Sequence, residues 1–173
     1  LLDNLAVKYI LSDGKFDWTQ AGYILLKTFE NIKVFKNPNY VPMGSVFSNV
    51  IRESDFENLP ILKKRNTIKN YLVVSDENLQ EIIDVSSTSP TIESIEKSDR
   101  NLKITSHNNN HITGRIKNKD VVLLYFSIPF DKGWEIQIDG KITKKIITNY
   151  GMTGVILSPG NHTIHLDYEL PCL

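Results

Sequence analysis

Residues 121–128 read Val121-Val122-Leu123-Leu124-Tyr125-Phe126-Ser127-Ile128, and the chain continues Pro129-Phe130-Asp131-Lys132-Gly133-Trp134-Glu135-Ile136-Gln137-Ile138-Asp139-Gly140. The first run is apolar at odd and even positions alike, the pattern of a strand covered on both faces. Pro129 breaks it. Trp134, Ile136 and Ile138 then alternate with Glu135, Gln137 and Asp139, the period of two expected where one face is buried and the other wet. The pair Asp139-Gly140 suits a two-residue hairpin turn. Further on, His162, Ile164, Leu166 and Tyr168 alternate with Thr163, His165 and Asp167 in the same way. Of the two histidines here, this predicts one packed and one solvated.

Outward from this stretch the strands recur at short, regular intervals. They are predicted at Ile92–Lys97, Asn101–His107, Ile112–Lys117, Val121–Ile128, Trp134–Ile138, Lys144–Thr148, Gly154–Leu157 and His162–Tyr168, with turn residues between. Upstream lie a strand in Leu5–Leu11, a hairpin pairing 23–29 with 32–35 around Glu30-Asn31, a loop at Asn37–Pro42 and a strand in Met43–Val50. The period changes after that. Ser54 or Asp55 can cap a helix, Pro60 suits the first turn of a second, and Tyr71–Val74 reads as a strand. Lys63, Lys64, Arg65 and Lys69 form a basic cluster there, more economically a solvated helix face than a binding patch. The polar stretch 84–91 is the natural boundary. The expected fold is therefore mainly β: an antiparallel β-sandwich, jelly-roll-like, over 81–173, with a smaller α+β part at 1–80 packed on it.

Composition narrows the function. Lys+Arg and Asp+Glu each total 20, so nothing suggests a nucleic-acid partner, whose backbone demands a basic surface. No apolar run approaches the length of about 20 residues that spans a bilayer. The chain starts Leu1-Leu2 and ends Cys172-Leu173, which reads as a piece of a larger protein. Its one cysteine, Cys172, has no internal partner. Phosphate-binding glycine loops, nucleophile elbows and Cys-x-x-Cys pairs are missing, and no cofactor is implied. His107 and His111 flank the turn Asn108–Asn110, a poor geometry for a metal, and no metal ligands are assigned. The best polar-aromatic spot is Asp131–Trp134. Gly133 is expected to take a positive φ and Asp131 to hold the turn amides, while Trp134 either packs in the core or stacks on a sugar ring. Asp131, Trp134 and Asp139 are the candidate ligand contacts.

The block Ser127–Gly140, together with Gly151-Met152-Thr153-Gly154-Val155-Ile156-Leu157 and Pro159-Gly160-Asn161-His162-Thr163-Ile164, resembles the bacterial YfhO family, with Phe130 where the family carries tyrosine. The N-terminal pieces Val7-Lys8-Tyr9-Ile10-Leu11, Val34–Pro38 and Val41-Pro42-Met43 fit the same pattern. The resemblance implies a polytopic membrane protein, similar to glycosyltransferases that use lipid-linked sugars to decorate lipoteichoic acid or other envelope polymers. It also implies that this portion sits outside the cell, tethered by membrane helices absent from the chain. Family catalytic acids would lie in the membrane part, so this fragment is expected not to be an enzyme and no catalytic residue is transferred. The implied partners are the transmembrane region of its own parent chain and an envelope glycopolymer or glycolipid. The alternatives are a pure scaffold or protein-interaction domain and, last, a self-sufficient carbohydrate-active enzyme.

Overall fold

The computed structural model describes residues 5–47, 49–79 and 101–171. The strand expected at Ile92–Lys97 and the boundary stretch 84–91 lie outside these residues. The chain forms two compact units, Leu1–Met43 and Gly44–Leu173.

In the first unit, β1 (Tyr9–Ser12), β2 (Ile24–Phe29) and β3 (Ile32–Lys36) form a sheet in the order β1-β3-β2. The β2–β3 hairpin turns at Glu30-Asn31 as the sequence suggests, and Glu30 accepts a φ of +49° in place of the missing glycine. A 3-10 turn at Trp18–Ala21 precedes β2, capped by the Asp17 carboxylate accepting from the Thr19 N–H at 3.0 Å. Phe16 and Tyr23 meet the Trp18 ring edge-on, at 4.9 and 5.4 Å between centroids. Among the described residues of this unit Phe35 and Asn37 are the buried ones, and the Asn37 side chain donates to the Val7 carbonyl at 3.0 Å.

The second unit holds two sheets. One is built from β4 (Gly44–Phe47), β5 (Val50–Arg52), β6 (Leu72–Val74), β9 (Val122–Pro129), β12 (Ile146–Thr148) and β13 (Met152–Leu157), in the order β4-β9-β13-β12-β6-β5. The other runs β11-β10-β14-β8-β7 from β7 (Lys103–His107), β8 (His111–Asn118), β10 (Trp134–Ile138), β11 (Lys141–Ile142) and β14 (Gly160–Tyr168). Among the described residues all pairings are antiparallel except β5 with β6, which the helices α1 (Glu53–Glu57) and α2 (Ile61–Thr67) connect. The strand orders make an antiparallel sandwich without specifying a jelly roll. The strand expected over Met43–Val50 is divided, its first part pairing with β9 and its end opening β5.

The two-faced apolar run is central, as its composition requires. Leu124, Tyr125 and Phe126 have no exposed surface. On one face of β9, Leu123 and Tyr125 pack with Leu72, Val74, Leu79 and Ile146. On the other, Val122, Leu124 and Phe126 stand beside Val155 and Leu157 of β13, all buried. The five-stranded sheet presents Ile112, Ile116, Ile136, Ile164 and Leu166 inward. Full burial of each such side chain is worth roughly 1.5–3 kcal/mol. Leu102 joins the sheets: β-carbons placed on Gly44 of β4 or Gly114 of β8 would come within 2.6 Å of it. Only glycine on both strands leaves room for that side chain.

The helices differ in detail from their expected caps. Neither Ser54 nor Asp55 caps α1, whose cap position is Arg52 and carries no side-chain cap; Ser54 instead donates to Asp76 at 3.0 Å. Pro60 is the cap residue of α2. Of the basic cluster, Lys63, Arg65 and Lys69 are solvent-exposed, whereas the Lys64 ammonium lies 5.6 Å from the Phe56 ring centroid.

Candidate functional site

The turn joining β9 to β10 is built by hydrogen bonds from a few residues. Asp131 accepts the Gly133 N–H at 2.7 Å through Oδ1, and its carbonyl accepts the Trp134 N–H at 3.3 Å. The Lys145 ammonium donates to the carbonyls of Asp131, at 2.8 Å, and Trp134, and lies 5.4 Å from the Phe130 ring centroid. Trp134 opens β10 opposite Tyr168, with ring centroids 5.0 Å apart. Gly133 does not take the positive φ its place in a turn suggested. Close approach demands it instead: a β-carbon there would lie 2.2 Å from the Glu169 carbonyl oxygen and 2.7 Å from the Tyr168 ring.

Asp139 sits at the other end of β10. It and Gly140 adopt φ values of +53° and +79°, the left-handed pair of a tight hairpin turn, closing Ile138 onto Lys141. Its Oδ1 accepts the Thr163 N–H at 2.8 Å, and its Oδ2 lies 2.7 Å from His162 Nδ1. The Thr163 amide, followed by the His162 side chain, holds its carboxyl below the ordinary aspartate value. His162 is buried, and its other nitrogen lies 2.8 Å from the Ser158 carbonyl. The structure thus brings Asp131 and Trp134 together but places Asp139 a strand length away, roughly 16 Å at 3.3 Å per residue. All three hold turns or strand pairings.

The outward face of the same sheet carries a separate polar arrangement. The register aligns Glu135, Asp167 and His111 in one row, and Gln137, His165 and Thr113 in the next. A third row aligns Thr163, Arg115 and Lys103. His111 Nδ1 lies 2.5 Å from Asp167 Oδ1, and Thr113 Oγ1 lies 2.7 Å from His111 Nε2 and 3.2 Å from His165 Nδ1. Carboxylate, imidazole and hydroxyl follow in the order of a nucleophilic triad. Yet Thr113 stands in mid-strand, with β8 hydrogen-bonded to β7 and β14 on its two edges, so its neighbouring amides are committed to ladders rather than aimed at an oxyanion. Among the described residues, no group of three or more His, Cys, Asp or Glu is placed to hold a metal ion.

Beyond the third row the sheet opens into a groove of about 380 Å³, lined by Asn101, Lys103, Arg115, Ile116, Lys117, Asn161, His162 and Thr163. Three of these side chains are cations and none is a carboxylate. Among the described residues none of the three cations forms an ion pair. Arg115, Lys117, Asn161 and Thr163 face the same way across paired β8 and β14. The groove therefore presents ammonium, guanidinium, amide and hydroxyl donors, a set suited to phosphate oxygens, while Asp139, which bonds two of its lining residues, is engaged by the Thr163 N–H and His162. Reading the chain residue by residue misses it. Alternation in 112–117 is enough to put Arg115 and Lys117 on the wet face, but only the cross-strand register shows that Asn161, Thr163 and Lys103 join them.

Among the described residues, no helix is long and apolar enough to cross a membrane. No curated protein and no solved structure matches the chain. The family model described as bacterial membrane protein YfhO matches residues 91–173, which span the groove, the Asp131–Trp134 turn and the Asp139 hairpin. The match over that segment is what a fragment of a YfhO-family bacterial membrane protein would give.

Proposed function

We propose that the Gly44–Leu173 unit is a non-catalytic binding module of a YfhO-family membrane glycosyltransferase. It holds an anionic cell-envelope polymer of the lipoteichoic-acid type and orients it toward the membrane-embedded catalytic part, on the outer face of the membrane. The observation that carries this reading is the groove over β7, β8 and β14, where Lys103, Arg115 and Lys117 converge with no carboxylate among the lining residues. A repeating phosphodiester needs cations spaced along a track rather than one deep pocket, and an open sheet face supplies that. Residues 91–173 match a family of bacterial membrane proteins, and the resemblance of that family to glycosyltransferases supports a glycopolymer as the anion.

NMR titration of the isotopically labelled chain with glycerol-phosphate oligomers and, in parallel, neutral oligosaccharides tests the proposal. Shifts confined to the groove and produced by the phosphate oligomers support it. Shifts centred on Trp134 with neutral sugars would favour an aromatic sugar contact through Asp131, Trp134 and Asp139. No shift at millimolar ligand leaves a scaffold that binds neither.

A further inference from the structure

The sheet of the Leu1–Met43 unit has one apolar face that is largely exposed among the described residues. Strand register assigns its rows: Leu11, Val34 and Lys27 in the middle, Tyr9, Lys36 and Ile24 on one side, Phe29 and Ile32 on the other. Leu11 is 72% exposed, and Tyr9, Ile24, Phe29 and Ile32 are each at least half exposed. On the reverse side Phe35 is 1% exposed, beside Leu25 at 44%. An aliphatic and aromatic sheet face this exposed marks a surface that meets something else.

Its charge says what. Among the described residues, the only ionisable side chains in these rows besides Tyr9 are Lys27 and Lys36, and none is a carboxylate. The Lys27 ammonium lies 4.4 Å from the Phe29 ring centroid, and the Lys8 ammonium lies 5.4 Å from that of Tyr9. Apolar bodies with aromatic rings and lysine heads at the margin match the boundary between acyl chains and anionic headgroups, where aromatics anchor and lysines reach outward. The same polypeptide carries the segment assigned to a family of bacterial membrane proteins. We propose that this face docks on the headgroup layer of an anionic lipid bilayer. The proposal uses no residue of the cationic groove and stands independently of what the groove binds.

Sedimentation of the full chain with vesicles tests it, comparing phosphatidylcholine alone with phosphatidylcholine mixed with phosphatidylglycerol. Two exposed-residue variants accompany the wild type, Leu11→Ser with Phe29→Ser and Lys27→Glu with Lys36→Glu, each checked for folding by circular dichroism. The wild type is expected to bind the anionic vesicles in a salt-sensitive way. Losing the attraction of both lysines should weaken partitioning about 25-fold, near fivefold per lysine, and reversing their charge should weaken it further. The apolar pair should weaken it on either vesicle. Failure of the wild type to bind anionic vesicles overturns the proposal, as does wild-type binding by both variants. So does a concentration-dependent dimer that the apolar variant abolishes without any vesicle binding, because a second copy would then be the occupant.

Discussion

Replacing Gly133 with alanine puts a methyl group where the chain has no space. The added carbon would lie 2.2 Å from the Glu169 carbonyl oxygen and 2.7 Å from Tyr168 Cε2, and the nearer obstacle is backbone. Ordinary contacts between non-bonded heavy atoms lie near 3.5 Å or beyond, so the turn and the end of β14 must part by more than about 1 Å. That displacement strains the Glu169 N–H bond to the Gly133 carbonyl, now 3.0 Å, and the Gly133 N–H bond to Asp131, now 2.7 Å. Overpacking of this kind costs roughly 1–3 kcal/mol, and a weakened hydrogen bond adds about 0.5–1.5 kcal/mol. The expected loss is about 2–4 kcal/mol, a large share of the roughly 5–15 kcal/mol that holds a domain together. Gly140→Ala is the control. Nothing lies within 4 Å of a β-carbon there, and the penalty is only that of a φ of +79°, about 1–2 kcal/mol. Guanidinium unfolding followed by circular dichroism and tryptophan fluorescence measures both, with the Trp134 ring against Tyr168 as a local reporter. If Gly133→Ala stays within about 0.5 kcal/mol of wild type, or Gly140→Ala proves the costlier change, the close-approach account of this turn is wrong.

Asp139 has a folded pKa below its unfolded value, so its contribution is fully present above the ordinary carboxylate value of 3.8 and is lost as pH falls through the lowered folded value. Thermal melts of wild type and Asp139→Asn should therefore converge on acidification below about pH 4, and a constant gap would contradict this linkage. Burial pushes the Tyr125 hydroxyl up to about 12, against a partial opposing effect of Asn149. Its contribution is complete below pH 10 and declines as pH rises toward 12, by at most about 3 kcal/mol at roughly 1.4 kcal/mol per unit; Tyr125→Phe should remove that alkaline decline. Leu102→Ala should cost about 2–4 kcal/mol as a core truncation. Gly114→Ala, disruptive alone, should cost less in the Leu102→Ala background, because the atom it strikes at 2.6 Å is gone; additivity in that cycle would mean Leu102 is not what Gly114 makes room for.

Local pattern was enough for four strands of the five-stranded sheet, though not for the short β11, and for the heart of the six-stranded one. Trp134–Ile138 and His162–Tyr168 alternate, and the first pairs with residues 164–168 of the second. The unbroken run from Val121 becomes β9, buried on both faces. His162 is buried and His165 lies on the wet face, as the alternation requires. What escaped depends on long-range register. The pairing of Gly44–Phe47 with β9 and the parallel match of β5 to β6 join segments that carry no local sign of each other. Gly133 looks like a turn glycine in sequence, and only the return of β14 beneath it reveals a steric requirement. The groove is the extreme case: Lys103, Arg115, Lys117, Asn161 and Thr163 come from three strands, and each alone is an unremarkable surface residue.

The central claim is that this groove recognises an anionic polymer, and its most direct test is calorimetric titration of a glycerol-phosphate oligomer into wild type and into Lys103→Glu with Arg115→Glu, at low and moderate salt. Exposed strand positions make the double variant a change of charge rather than of fold. The account predicts wild-type binding that weakens as salt rises and falls at least about tenfold in the variant, consistent with about 1.5–3 kcal/mol for charge-assisted hydrogen bonds. Equal binding by the two proteins, or no heat at millimolar oligomer with either, would contradict it.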